Sequence, residues 1–370
     1  MTSIATRKLE HLDLCASADV ESRRTTLLEE VQLLHDALPE LDLDEVDPSV
    51  RLLGRRLRAP IVISGMTGGA ERAGRINRAL AAAAQELGFA MGLGSQRAML
   101  RDPGAVASYA IRDVAPDVLL LANLGCVQAR DTPSARVAEL IDAVSADAIC
   151  LHLNVAQELA QDEGDRDFRG CLEAIARLVE DLPVPVVVKE TGCGLSPRTL
   201  ALLHEIGVGL VDVAGVGGTT WPGVESLRGS PRQRALGAAL REWGIPTAAS
   251  LVHAERAGLA AIASGGIRSA HDVLRALALG ASAAGLALPF LLAHERAGVE
   301  GVVGFGRELA ETLRALMLLV GARSVAELRR KPRLLGPTLQ AWTSKDLEGP
   351  LAPVHLRSAR LDERRGSPGE

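Results

Sequence analysis

A histidine, an asparagine, a glutamine and a glutamate crowd into one short run, Leu151-His152-Leu153-Asn154-Val155-Ala156-Gln157-Glu158. It follows the apolar stretch Ala148 to Cys150, so it reads as the end of a buried strand and a polar loop. Side chains alternate faces along a strand, which puts His152 and Asn154 on one side and Leu151 and Leu153 on the other. Gln157 and Glu158 then lie beyond the strand. Such a cluster is either solvated loop or a holder of something anionic together with a metal. Glu158 is the metal candidate, because Mg²⁺ takes oxygen ligands and binds through one or two carboxylates plus substrate phosphates. No HxH, HExxH or cysteine pair points to zinc.

Three other groups of residues can do chemistry. Lys189 closes the apolar run Val186-Val187-Val188. An inward lysine is costly unless it meets an anion. It can form a Schiff base, sit against an electron-rich ring, or reach solvent at the strand end. Ser95-Gln96-Arg97 offers a hydroxyl and a guanidinium, and arginine binds phosphate bidentately. Gly265-Gly266-Ile267-Arg268 and Gly285-Leu286-Ala287-Leu288 are glycine-rich, so their backbone N–H groups can approach an anion closely. Two tight turns would read the same way. Arg7-Lys8 is the least specific, since basic residues near an N-terminus are ordinarily just solvated.

The elements that must position these residues follow a rhythm. Eight apolar runs recur: Ile61–Gly65, Ala90–Gly94, Val118–Ala122, Ala148–His152, Val184–Val188, Leu210–Val213, Ala260–Ala263 and Ala281–Leu288. Between them lie stretches with helical spacing, such as Ile76 to Leu87 and Phe168 to Asp181. Alternating strands and helices imply a parallel sheet with right-handed crossovers. Eight units over about 250 residues fit a (β/α)8 TIM barrel, an α/β fold, better than an open doubly wound sheet. In that fold the active site lies at the C-terminal strand ends, and the loops after strands seven and eight form the usual phosphate site. Every strand end here is polar, glycine-rich or both: Met66-Thr67-Gly68-Gly69, Ser95-Gln96-Arg97, Asn123-Leu124-Gly125, His152 to Glu158, Lys189-Glu190, Gly215 to Thr219, Gly265 to Arg268, and Ala287-Leu288-Pro289. Residues 1–58 read as a charged, irregular N-terminal extension, 59–345 as the barrel with a C-terminal helical segment, and 346–370 as a flexible tail.

Composition excludes some classes. The formal charge of −5 and the 2% aromatic content argue against nucleic-acid binding, which needs a basic face or stacking platforms. Five cysteines without a CxxC pair point to reduced thiols in a cytoplasmic protein. No apolar run reaches the roughly 18 residues of a membrane span, and the N-terminus has no apolar core of a signal peptide.

Taken together, the residues resemble the type 2, FMN-dependent isopentenyl-diphosphate isomerases from Arg7 to about Trp342. The motifs that carry the resemblance are Arg7-Lys8-x-x-His11, Gly65-Met66-Thr67-Gly68-Gly69, Gly94-Ser95-Gln96-Arg97, Asn123-Leu124-Gly125, His152-Leu153-Asn154-x-x-Gln157-Glu158, Val188-Lys189-Glu190, Gly217-Gly218-Thr219-x-Trp221 and Ala263-Ser264-Gly265-Gly266-Ile267-Arg268. The glycine motifs are common to other FMN barrels; the His-Leu-Asn-x-x-Gln-Glu and Ser-Gln-Arg runs together are specific. The resemblance implies FMN contacts at Gly65, Met66, Thr67, Ser95, Asn123, Lys189 and Thr219. The FMN phosphate would lie on Gly265, Gly266, Arg268, Ala287 and Leu288. Substrate diphosphate would fall to Arg7, Lys8, Ser95, Gln96, Arg97, His152, Asn154 and Gln157, with Mg²⁺ on Glu158. Lys189, Gln157 and His152 would be catalytic. The resemblance further implies isoprenoid biosynthesis, NADPH or NADH as reductant, and a homo-oligomer, tetramer or octamer, whose N-terminal Arg-Lys region helps close the site. The chain departs at Ala270-His271, where a glycine is common, and at the variable Ala160-Gln161-Asp162; neither position carries an implied role.

Two other classes compete. An FMN-dependent 2-hydroxy-acid oxidase wants a histidine base paired with an arginine near the late strand ends, and no histidine lies between Thr219 and Trp243. A non-catalytic phosphate-binding barrel would not need polar groups at every strand end.

Overall fold

The structure is a computed structural model that describes residues 4–344. The expected tail, 346–370, lies outside the described residues. Eight parallel strands close a barrel: β1 (Ile61–Ile63), β2 (Ala90–Gly92), β3 (Leu120–Gly125), β4 (Ala148–His152), β5 (Val186–Lys189), β6 (Leu210–Asp212), β7 (Ala260–Ala263) and β8 (Ala283–Leu286). Each falls on one of the eight apolar runs. β3 runs three residues further than its apolar run, so Asn123 lies inside the strand and not beyond it.

Strand parity explains both the core and the site. Ile61, Ile63, Leu120, Ala122, Ile149, Leu151, Val186 and Val188 face the surrounding helices and join the larger core. The alternate residues Val62, Leu121, Cys150, Val187, Leu210 and Ile262 face inward and fill the barrel. An antiparallel hairpin, Val50–Leu52 with Arg55–Leu57, floors the barrel with Leu52 and Leu57. Continuing the inward parity toward the C-terminal ends gives Asn123, His152, Lys189, Asp212 and Ser264. The register sets His152 beside Lys189 and Lys189 beside Asp212, so one polar row crosses the barrel mouth.

The N-terminal extension is more ordered than an irregular segment. Ile4–Ser17 forms a helix that carries Arg7, Lys8 and His11. Its polar composition hides the periodicity that marks the barrel helices. Residues 20–26 then run as a strap over the barrel mouth: Thr220 N–H donates to Val20 O at 2.9 Å, Ser22 N–H to Gly218 O at 2.8 Å, and Ala248 N–H to Thr26 O at 3.0 Å. The strand Val31–Leu33 pairs with Arg333–Leu335, tying the extension to the C-terminal segment. That segment is not wholly helical. After the long helix Leu288–Leu319, broken at Ala297 and Gly298, it contains this second strand.

Candidate active site

Two cavities open at the C-terminal ends of the strands and share a wall. The first, of about 920 Å³, is bounded by Ser64, Gly65, Met66, Thr219, Gly265, Gly266, Arg268, Ala287 and Leu288. The second, of about 790 Å³, is bounded by Arg7, Ser95, Arg97, Asn123, His152, Asn154, Gln157 and Glu158. Lys8, His11, Gly65, Met66, Lys189, Thr191 and Trp221 belong to both.

The first cavity is built by close backbone approach. Gly265 and Gly266 have φ of +89° and +78°, where side chains are strained. A Cβ on Gly265 would stand 2.1 Å from Gly215 O, and one on Gly266 would stand 2.3 Å from Gly217 O. These glycines are therefore required by loop-on-loop packing as well as by any anion they face. The Leu288–Leu319 helix begins directly after β8, and its first residues receive no side-chain cap. Pro289 has no N–H, and Phe290 and Leu291 donate theirs to Ala287 O, so of the first four residues only Leu288 N–H is a candidate for a phosphate. Arg268 borders the cavity, but its guanidinium already donates to Glu21 from Nε (2.9 Å) and Nη2, and its backbone N–H donates to Asp272 at 3.0 Å. Ser64 Oγ and Thr67 Oγ1 are buried with no hydrogen-bond partner among the described residues. An uncapped helix start, a glycine cradle and an orphaned hydroxyl on the wall fit a flavin mononucleotide.

The second cavity is cationic and polar. His152 Nδ1 lies 2.8 Å from Asn123 Oδ1. The Asn123 amide is oriented because its Nδ2 donates to Leu93 O at 2.8 Å. His152 Nδ1 therefore carries the proton, and Nε2 is left for a ligand. Burial holds His152 neutral, pulling its pKa down to about 3, and the charges of Lys189, Lys8 and Arg97 add to this. Asn154 ends the β4 loop, and Gln157 and Glu158 stand in the first turns of the helix Val155–Ala160. They sit on a helix where a loop was expected. This sets each of them about one turn from Asn154, and Asn154 Nδ2 donates to Glu158 Oε1 at 2.8 Å. Glu158 Oε2 accepts the Asp165 N–H at 2.8 Å. Its carboxylate is buried, borders the cavity, and has lone pairs left for a cation. Among the described residues no group of three or more His, Cys, Asp or Glu could hold a metal ion. One carboxylate fits Mg²⁺ only if phosphate oxygens and water complete its shell.

Lys189 lies between the cavities, its Nζ donating to Glu190 O at 2.9 Å. Glu190 is buried, and its carboxylate accepts the N–H groups of Thr191 at 2.6 Å, Gly192 at 2.8 Å, and Cys193. Burial nevertheless raises its pKa to about 7, with those N–H groups and Lys189 opposing. Burial also raises the Asp212 carboxyl, opposed by Lys189 and by the Ser264 hydroxyl that donates to it.

The N-terminal helix closes both cavities from above. Lys8 Nζ donates to Ser95 O at 2.7 Å and to the Tyr109 hydroxyl at 2.9 Å. Burial lowers the Lys8 pKa to about 7, helped by Arg7 and Arg97. His11 stacks edge-on to Trp221 at 5.1 Å between centroids, and its Nε2 lies 2.9 Å from Glu225 Oε1. Arg228 bridges Glu225 at 2.9 Å and Glu10 at 2.8 Å.

Not every expected residue reaches a cavity. Gln96 does not: it is fully buried, its Nε2 donates to Leu140 O at 2.9 Å, and its Oε1 accepts the Asn123 N–H at 3.1 Å. It braces β3 and leaves ligand contact to its neighbours Ser95 and Arg97. Thr67 is likewise buried, behind Met66, outside both cavity walls. Ser95 and Asn123, expected at the flavin, border the second cavity. The sequence reading passed over Tyr109, Ser64, Asp212 and the Glu225–Arg228 pair. Tyr109 is the single tyrosine of the chain, and Asp212 sits on the inward parity of β6; both signals were available.

The fold and the first cavity define an FMN-dependent barrel protein, and residues 127–334 match the FMN-dependent dehydrogenase family. Solved structures of mandelate oxidase share the fold; one superposes with a TM-score of 0.64 at 22% identity, covering 90% of this chain and 100% of that one. Sequence relatives are far more similar. "Isopentenyl-diphosphate delta-isomerase" of Thermococcus onnurineus is 42% identical over 96% of this chain and 97% of its own length. That of Halobacterium salinarum is 46% identical over 89% and 93%, and that of Methanosarcina acetivorans 44% over 92% and 94%. The chain belongs to the isopentenyl-diphosphate delta-isomerase family.

Proposed function

We propose that the chain interconverts isopentenyl and dimethylallyl diphosphate for isoprenoid biosynthesis, with FMN in the first cavity and the diphosphate in the second. The observation that carries this is the shared wall: a phosphate cradle on one side, a cationic pocket on the other, and Lys189 common to both. FMN would be held by Ser64, Gly65, Met66 and Thr219, with its phosphate on Gly265, Gly266, Ala287 and Leu288 and near Arg268. When bound and reduced, it supplies the proton donor and acceptor that move the double bond. Arg7, Lys8 and Arg97 would neutralise the diphosphate, Ser95, Asn154 and Gln157 would orient it, and Glu158 would share Mg²⁺ with its oxygens. His152 enters neutral, held so first by burial and then by the nearby cations; a bound diphosphate would offset the cations and favour a proton on Nε2, which faces the ligand. Lys189 holds positive charge where both ligands meet, steadying an anionic ring and countering charge in the transition state. Met66, Trp221 and the N-terminal helix exclude water, which would quench a tertiary cation.

NADPH or NADH as the priming reductant, a tetrameric or octameric homo-oligomer, and a cytoplasmic setting belong to the same reading, as does the division into an extension over 1–58 and a barrel over 59–345. Among the described residues no helix is long and apolar enough to cross a membrane. The test is the absorbance spectrum of the purified chain, followed by anaerobic turnover with and without reductant. Isomerisation should require FMN and a reductant. Turnover with oxidised FMN in air and no reductant would sink the reading.

A further inference from the structure

Tyr109 is fully buried and borders neither cavity, yet it contacts Lys8 and Ser95, which line the second. Its hydroxyl donates to Ser95 O at 2.7 Å and accepts from Lys8 Nζ at 2.9 Å. Lys8 Nζ also donates to Ser95 O, at 2.7 Å. The three groups form a closed triangle. An ammonium has three N–H donors; two are committed here, which leaves the third for a ligand in the space that Lys8 borders. The ring is tightly packed. A Cβ on Gly68 would stand 2.0 Å from it, so the backbone of the β1 loop already lies against its edge. A flexible four-carbon lysine is thereby fixed by a rigid phenol from the opposite wall.

We propose that Tyr109 is a positioning residue: through the Ser95 carbonyl it fixes the Lys8 ammonium so that one N–H is aimed at a phosphate oxygen of the substrate. The inference rests on the reading of the second cavity as the diphosphate site. The charged and titratable groups that face Lys8 are Arg7 on its own helix, Arg97 after β2 and the neutral His152 on β4. None of these is an anion, so among the described residues the Ser95 and Tyr109 oxygens are what favour the ammonium. Removing the phenol oxygen removes one of two acceptors that favour the charged form.

The test uses the full chain with FMN. Tyr109→Phe keeps the ring against Gly68 and deletes only the hydroxyl. It should raise KM for isopentenyl diphosphate about tenfold, the size of one charge-assisted hydrogen bond, while kcat and FMN content hold. The alkaline limb of kcat/KM should move to lower pH, which a merely structural loss would not do. In a Lys8→Met background the same substitution should add nothing. Because Tyr109 is the single tyrosine, global fluorotyrosine labelling puts one ¹⁹F reporter at this contact. Its resonance should titrate near neutral pH in the wild type and stay still in Lys8→Met. An unmoved KM and alkaline limb, an undiminished effect without Lys8, or a resonance indifferent to Lys8 would each overturn the proposal. The fluorine arm needs no Tyr109 variant to fold. If the wild type did not isomerise, the functional reading would fail while the ¹⁹F titration still judged the Lys8–Tyr109 contact.

Discussion

Glu190→Gln should make the stability of the chain less sensitive to pH, by an amount the structure sets. Glu190 is 7% exposed, and burial lifts its pKa from 4.5 to about 7. At about 1.4 kcal/mol per pH unit, holding the carboxylate ionised in the folded protein costs about 3 kcal/mol. Below pH 4.5 the folded and unfolded chains both keep the proton, and there is no penalty. Between 4.5 and 7 the unfolded chain has released it and the folded chain has not, so stability falls as pH rises. Above 7 the loss is complete. Glutamine leaves an amide oxygen for the N–H groups of Thr191, Gly192 and Cys193 and removes the titration. The assay is equilibrium urea unfolding of both proteins at intervals from pH 4 to 8. Subtracting one curve from the other cancels Lys8 and His152, which titrate in both. The variant should gain about 3 kcal/mol on the wild type across that window. Parallel curves would refute the argument that burial outweighs the three N–H donors at this carboxylate.

Other perturbations read other parts of the site. Glu158→Gln should abolish Mg²⁺ dependence and most turnover while FMN titrations stay unchanged, since Glu158 borders only the second cavity; a fall in FMN affinity would reassign the stretch to the cofactor. Gly265→Ala forces a Cβ at positive φ to 2.1 Å from Gly215 O, so strain and overpacking should cost roughly 2–5 kcal/mol, seen as a lower Tm and loss of bound flavin. Glu225→Ala strands the largely buried Arg228 with Glu10 alone. Breaking such a pair costs on the order of 3 kcal/mol, so limited proteolysis should cut the N-terminal helix faster and KM should rise.

Legibility in the sequence followed physical cause. A parallel barrel strand is covered on both faces, so it reads as a continuous apolar run, and all eight strands stood out. The strand ends were legible for the same reason, as the first polar residues after each run. His152, Lys189 and Glu158 emerged that way. What stayed hidden depended on contacts between distant segments. Gln96 and Arg97 look alike as polar neighbours, yet one turns inward to Leu140 O and the other faces the cavity. The helix Ile4–Ser17 has little apolar pattern of its own, because it forms against Trp221 and Glu225, more than two hundred residues away. Helix against loop at Gln157 was undecidable over so short a span.

Lys8 and His11, carried by one helix, form part of the wall of both cavities. A ligand in either cavity then helps meet the entropic cost of holding that helix in place. The second ligand finds this cost already met and binds more tightly, and linkage requires the same factor in either order of addition. The helix thus serves as a shared account between cofactor and substrate: an enzyme short of flavin should also be slack toward diphosphate, with no contact between the two ligands needed to make it so.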